Sequence, residues 1–347
     1  MTRLLILGTG SMARTHALAF SAVPEMEVVA AVEPNAERLA AFATEHAIPN
    51  RFADLDAALA WGAFDAAANV TPDAIHHPTT MKLLAAGKHV FCEKPLAVDQ
   101  RLADEMAEAA RARGLINMVN LTYRNAASLQ KARELVLAGE IGEVRHITAS
   151  YFQSWLTGKH WGDWRTEERW LWRLSSAHGS KGVLGDIGIH IVDFATYGAG
   201  SDIASMTSRL RTFHKAEGDR IGDYGLDAND SFVLSVALAN GALGSIEATR
   251  WASGYSNDLR LQVFGAAGSL DVTTNGQVSR LRICTGADID SQTWRDVPCP
   301  SVPTTYQRFA AAVTSGINGD PDFRRAADIQ RVLDLSFGGD GKGWIPV

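Results

Sequence analysis

The chain has 347 residues, of which 46% are hydrophobic, and a formal net charge of −6. That length exceeds one ordinary domain and predicts two. The charge is too mild to mark a partner, and with no basic stripe interleaved with aromatics it speaks against nucleic-acid binding. Three cysteines (Cys92, Cys284 and Cys299) without CxxC spacing fit free thiols in a reducing compartment. The first apolar run begins within the first few residues, which leaves no room for a signal peptide, and no eighteen-residue apolar run predicts a membrane span. The expectation is a soluble cytoplasmic protein.

Residues up to about 122 alternate strand-like and helical patterns. Apolar runs at 4–7, 28–32, 66–70, 89–92 and 116–119 read as strands, separated by Ala-rich helical stretches such as 36–46, 76–86 and 99–113. Alternation of this kind means βαβ units, a parallel sheet and helices on both faces. The first strand runs into Gly8-Thr9-Gly10-Ser11-Met12-Ala13 and then a helix, the G-x-G-x-x-A arrangement of a dinucleotide fold. Gly8 permits the tight turn, Gly10 admits a pyrophosphate to the backbone, and Ala13 lets the helix sit close on the strand. The helix N-terminus then offers N–H groups and partial positive charge to phosphates. The second strand ends in Glu33, twenty positions after Ala13, where an acid accepts from ribose hydroxyls. An acid there repels a 2′-phosphate and favours NAD, although backbone adjustment leaves NADP open. Thr71-Pro72, after the 66–70 strand, belongs on the same carboxyl edge.

The run His89-Val90-Phe91-Cys92 ends in Glu93-Lys94-Pro95. Pro95 fixes its own φ and biases Lys94 toward extended geometry, so Lys94 is presented from a stiff backbone at the sheet edge where ligands bind. A helix at 126–138 closes at Gly139, and period-two runs follow at 144–152, 204–213, 232–238, 243–251, 259–264 and 270–273. Asn240-Gly241 marks a hairpin turn, and the whole reads as a mostly antiparallel sheet. Within it, residues 182–193 are helical, with Ile187, Ile191 and Phe194 on one stripe. Asp186 and His190 stand one turn apart, close enough to hydrogen-bond and orient the imidazole. No third and fourth ligand accompanies them, so no metal is expected. Between the two patterns lies a loop holding Trp155, Trp161, Trp164, Trp170 and Trp172 with several arginines. Indoles suit stacking on sugar faces, and equally suit packing. Trp161, Trp164 and Arg165 are the substrate-side candidates. Segments 306–315 and 326–336 read as helices packing back on the body.

The fingerprint, the Glu93-Lys94-Pro95 turn and the Asp186–His190–Asp193 helix resemble the Gfo/Idh/MocA family of glucose–fructose oxidoreductase and inositol dehydrogenase. Thr71-Pro72 with His76, and the Gly87-Lys88-His89-Val90 lead-in, match as well. The resemblance spans essentially the whole chain. It implies a Rossmann domain at 1–122 and an α+β domain with an open, mostly antiparallel sheet at 123–347, through which homodimers or homotetramers form. It implies pyridine-nucleotide redox chemistry on a small carbohydrate. Lys94, Asp186 and His190 become the catalytic candidates, with Glu93, Thr71, Pro72 and His76 near the cofactor. Tyr123, in an aromatic–Arg pair with Arg124, joins the substrate side. Two departures stand out: Thr122 replaces the Asn many relatives have there, and the Trp-rich loop is unlike that of better-known members. In the expected mechanism His190, held by Asp186, takes a hydroxyl proton as hydride leaves, while Lys94 steadies charge on the same oxygen or relays the proton; the sequence does not say which of the two is the base. Two rivals are an NAD-dependent glycosidase using transient redox and a non-catalytic redox or sugar sensor.

Overall fold

The computed structural model describes residues 1–347, which form two compact units. The first comprises Met1–Thr122 and Pro303–Arg331, the second Tyr123–Val302 and Val332–Val347.

In the first unit the strands are β1 (Thr2–Leu7), β2 (Met26–Val32), β3 (Asn50–Phe52), β4 (Ala66–Asn69), β5 (His89–Cys92) and β6 (Asn117–Val119). All pair in parallel, in the order β3-β2-β1-β4-β5-β6. The helices α1 (Ser11–Ser21), α2 (Ala36–Glu45), α3 (Leu55–Trp61), α4 (Asp73–Ala85) and α5 (Gln100–Ala112) alternate with them. Leu4, Ile6, Ala31, Ala66, Ala68 and Phe91 are buried in one continuous core, as strands covered on both faces require. Strand order reverses between β1 and β4, and that switch point is where doubly wound folds bind ligands. Gly8 lies there with φ +93°, and a β-carbon on it would stand 2.8 Å from the Val70 carbonyl oxygen. Only glycine fits the position.

The second unit opens with α6 (Ala127–Leu137) and β7 (Val144–Phe152), followed by α7 (Ile189–Ala199) and β8 (Ile203–Arg211). Then come β9 (Ser231–Leu238), β10 (Leu243–Thr249), β11 (Asp258–Gly265), β12 (Gly268–Thr274), β13 (Ser279–Thr285) and β14 (Arg295–Asp296), with β15 (Ile345–Pro346) at the end. The sheet order is β14-β13-β12-β11-β7-β10-β9-β8-β15, antiparallel except for the parallel β7–β10 pair. Alternation sends Phe232, Leu234, Val236 and Leu238 of β9 inward, while Val233 and Ser235 face out. Helices α6 and α7 cover one face.

The expected second domain at 123–347 is interrupted: residues 303–331 belong to the first unit. Helix α8 (Thr305–Ser315) brings Tyr306 and Phe309 onto Phe20 and Phe91, with ring centroids 5.0–6.1 Å apart. Aromatic packing of this kind outweighs nearness in sequence. The last helix, α9 (Phe323–Gly338), begins in that unit.

Candidate active site

In the first unit α1 starts at Gly10 with no side-chain cap and no acid in its first turn, and the space beside Gly10 is open. Its first N–H groups are thus available to an anion. At the end of β2 the Glu33 carboxylate is buried yet accepts from Thr9 Oγ1 (2.9 Å), Asn35 N (3.1 Å) and Arg38 Nη2 (2.6 Å). Burial alone raises its pKa, but these donors and the Arg38 charge outweigh that and hold it below the usual carboxylate value. Glu33 is therefore ionised at neutral pH with lone pairs to spare. Gly8, Gly10, the α1 N-terminus and Glu33 fit a dinucleotide carrying ribose hydroxyls.

The β4–α4 turn is organised by Asn69, whose amide donates to Thr79 and Thr80 while its oxygen accepts from Thr71 Oγ1 at 2.7 Å. His76 was expected beside the cofactor. It is instead wholly buried, its two ring nitrogens 2.7 Å from the Thr71 carbonyl and 2.8 Å from that of Pro95. It braces the Thr71 turn against the Lys94-Pro95 turn and leaves no ring atom for a ligand. Glu93 is likewise a strut. Its oxygens meet His16 Nε2 (2.7 Å), Asn120 Nδ2 (2.6 Å) and the backbone N–H of Lys94 (3.1 Å). Burial pushes the Glu93 pKa up, but His16, Asn120 and the Lys94 charge prevail and bring it down to about 2. So Glu93 orients Lys94 through the backbone, and Lys94 remains partly exposed. His16 and Asn120 carried no motif and went unread; only an inward position on α1 for His16 hinted at a role.

In the second unit the anticipated helix begins with a π-helical turn, Leu184–Gly188, before α7. Such turns recur at functional sites. Asp186 lies in it, with Oδ2 2.8 Å from Arg250 Nη2 and Oδ1 3.2 Å from Arg173 Nη1. Two guanidiniums thus face this carboxylate. Arg250 is fully buried, its guanidinium 4.7 Å from the Trp155 ring centroid. Burial lowers the Arg250 pKa and Asp186 opposes that. Three residues beyond His190, Asp193 makes a bidentate pair with Arg124 (2.6 and 2.7 Å), both side chains buried. That clasp fixes the turn bearing Tyr123, whose ring stands edge-on to His190 at 5.2 Å. Burial pushes the Tyr123 phenol up to about 12, so it is neutral in use.

Of the substrate-side candidates in the tryptophan loop, Trp164 departs from its expected role. Trp164 is 1% exposed and its indole N–H donates to the Leu156 carbonyl at 3.1 Å. With Trp155, Leu156, Leu171, Leu174 and Leu226 it forms a satellite core, so it packs rather than contacts substrate. Trp161 is partly buried against that core and stacks on Trp170. Arg165 lies over the Trp164 ring at 4.4 Å and faces Asp163. No group of three or more His, Cys, Asp or Glu side chains is placed to hold a metal ion.

A dinucleotide cradle at the switch point of a 3-2-1-4-5-6 sheet, followed by a mixed open sheet whose helix carries Asp186 and His190, defines a nicotinamide-dependent oxidoreductase. Residues 2–121 match the oxidoreductase family's NAD-binding Rossmann fold, and residues 129–271 match the GFO/IDH/MocA C-terminal domain. The chain belongs to the Gfo/Idh/MocA family. It is 27% identical to levoglucosan dehydrogenase of Pseudarthrobacter phenanthrenivorans over 289 residues, 76% of this chain and 72% of that one. It is 32% identical to 1,5-anhydro-D-fructose reductase of Ensifer adhaerens over 208 residues, 60% of each. The crystal structure of an oxidoreductase domain protein from Kribbella flavida superposes with a TM-score of 0.86 at 28% identity, covering all of both chains.

Proposed function

We propose that the protein moves hydride between NAD and a secondary alcohol of a sugar, polyol or anhydrosugar. The observation that carries this is His190, buried and edge-on to the Tyr123 phenol, in a chain whose other unit is an NAD-binding Rossmann domain. Relatives named for levoglucosan, 1,5-anhydro-D-fructose and inositols support the substrate class. The ionised Glu33 supports NAD over NADP, because it repels a 2′-phosphate.

When bound, the nicotinamide supplies the hydride acceptor. Gly8, Gly10, Ser11, Met12 and Ala13 cradle the pyrophosphate, Glu33 takes the ribose hydroxyls, and Thr71-Pro72 borders the same edge. His190 accepts the alcohol proton, a step typically worth about 10²–10⁴ in rate. Histidine suits this task because its ordinary pKa, about 6.5, lies close to working pH. Lys94 donates to the reacting oxygen and stabilises its developing charge. Asp186, paired with Arg250 and Arg173 one turn before His190, is the group assigned to orient the imidazole. Tyr123, Trp161 and Arg165 are the substrate-side groups. Copies associate through the uncovered face of the second sheet, the enzyme works in the cytoplasm, and light scattering tests the assembly.

The deciding experiment incubates purified protein with NAD, and separately NADP, against monosaccharides, inositols and anhydrosugars, following absorbance of the reduced nicotinamide. Growth of signal with one sugar class is expected. Silence across the panel, with NAD binding confirmed by thermal shift, overturns the dehydrogenase reading.

A further inference from the structure

We propose that Tyr123 is a fixed hydrogen-bond acceptor that selects a free hydroxyl on the substrate, its polarity set from Trp155 through Gln153, Asn257 and Tyr151. This deepens the oxidoreductase reading and rests on it for the identity of the ligand. It goes beyond that reading by assigning the direction of each proton.

The argument starts at the indole of Trp155, 4% exposed, whose Nε1–H can only donate. It donates to Gln153 Oε1 at 3.2 Å. That fixes the Gln153 amide, because the flipped form sets donor against donor and leaves a buried indole N–H without an acceptor. Gln153 Nε2 therefore is the atom that reaches Asn257, at 2.7 Å, and a donor there requires the Asn257 oxygen. The same oxygen, Asn257 Oδ1, lies 2.9 Å from the Tyr151 hydroxyl and can only accept, so the single Tyr151 proton points at it. The Tyr123 and Tyr151 oxygens are 2.6 Å apart and share one proton, which must then come from Tyr123. Tyr123 is left with lone pairs alone toward anything that approaches. Tyr151 is 3% exposed and takes no part itself, whereas Tyr123 is partly exposed beside His190.

An acceptor in that place recognises a donor. A substrate hydroxyl facing Tyr123 completes the chain, a deoxy position merely loses a bond, and an ether oxygen or fluorine meets lone pair with lone pair. The bridging oxygen of an anhydrosugar is thus excluded from this position, and a free hydroxyl is required there. The tryptophan cluster acquires a role in recognition without touching substrate, since Trp155 sets the direction of the whole chain.

Neutron diffraction from crystals exchanged into D₂O reads the assignment directly. The expected map places the Tyr123 deuteron toward Tyr151 and the Tyr151 deuteron toward Asn257. A Tyr151 deuteron directed at Tyr123 overturns the proposal. Kinetics with glucose, levoglucosan and scyllo-inositol, each with its monodeoxy and monodeoxyfluoro derivatives, tests the recognition step. At one carbon the fluoro derivative should fall at least about tenfold below the deoxy derivative in kcat/KM, a gap of roughly 1.4 kcal/mol. Tyr123→Phe should erase that gap. Tyr151→Phe, which frees the Tyr123 proton to turn outward, should narrow or reverse it, in protein whose Tm shows it folded. Equal handling of fluoro and deoxy derivatives at every carbon by the unaltered protein overturns the recognition role. If none of the three parent sugars is turned over, the substrate reading fails, and the neutron map by itself upholds or overturns the acceptor assignment.

Discussion

The two units fasten their functional groups in different ways. In the first, Gly8, Thr71 and Lys94 follow strand ends directly, and much of what steadies them is near in sequence: His76 five residues from Thr71, Glu93 adjacent to Lys94. In the second, every group of interest is held by a distant side chain. Arg124 and Asp193 are 69 residues apart, Asp186 and Arg250 are 64, and Tyr151 and Asn257 are 106. The clasp of Glu93 on His16 is the first unit's exception, reaching across 77 residues. Backbone anchoring survives the loss of a side chain, whereas a network of buried charges leaves an uncompensated charge when one member goes.

The largest expected effect breaks chemistry without breaking either anchoring scheme. Lys94→Met should lower turnover by about 10²–10⁴ while NAD still produces its thermal shift, since the turn is held by Glu93 and His76 rather than by the ammonium. Near-normal turnover would sink the assigned role. Next comes Asp193→Ala, which removes the buried carboxylate partner of the Arg124 guanidinium and should cost about 3–5 kcal/mol in urea denaturation. A loss under 1 kcal/mol would mean that the Tyr123 turn is held by its backbone after all, and the contrast between the units would fail.

Glu93 sharpens the exception. Its carboxyl drops from an ordinary 4.5 to about 2 on folding, so its stabilisation is fully present above pH 4.5 and is lost as pH falls through 2. Glu93→Gln should therefore cost about 3 kcal/mol at pH 7. The gap between the two proteins, read by chemical denaturation, should shrink steadily between pH 4.5 and pH 2; a gap constant down to pH 3 contradicts the ionised Glu93 carboxylate. The smallest effect is purely local. Asp99 caps α5 by accepting from the Leu102 N–H at 2.9 Å, and Asp99→Ala should cost about 1 kcal/mol with unchanged kinetics.

The sequence was most legible where chemistry is written in consecutive residues. The fingerprint at 8–13, Glu33 and Lys94 fall at strand ends because a glycine turn and a proline dictate local backbone. Strands with clean alternation, such as Ser231–Leu238, read directly. β3, with only Asn50-Arg51-Phe52, shows no alternation, and its pairing with β2 alone makes it a strand. β13 also went unread, although Leu281 and Ile283 point inward between arginines. Trp164 illustrates the opposite failure: an indole looks the same in a sequence whether it covers a sugar or a leucine, and only its 1% exposure separates the two. His76 and Glu93 fall in the motif, but that each spends its polar atoms on the protein is visible only in the fold.

By itself, then, the sequence determined the βαβ alternation of the first unit, most strands of the second, the glycine turn after β1 and the candidates Glu33, Lys94, Asp186 and His190. These follow from periodicity and from glycine and proline geometry, which act over a few residues. Only the tertiary structure decided that 303–331 returns to the first unit, that Arg250 and Arg173 hold Asp186, that Arg124 is clasped by Asp193, and that Trp155 directs the protons ending at Tyr123. Those choices arise where buried polar groups must find partners or remain costly, and the partner is whichever side chain the fold brings within 3 Å, whatever its distance along the chain.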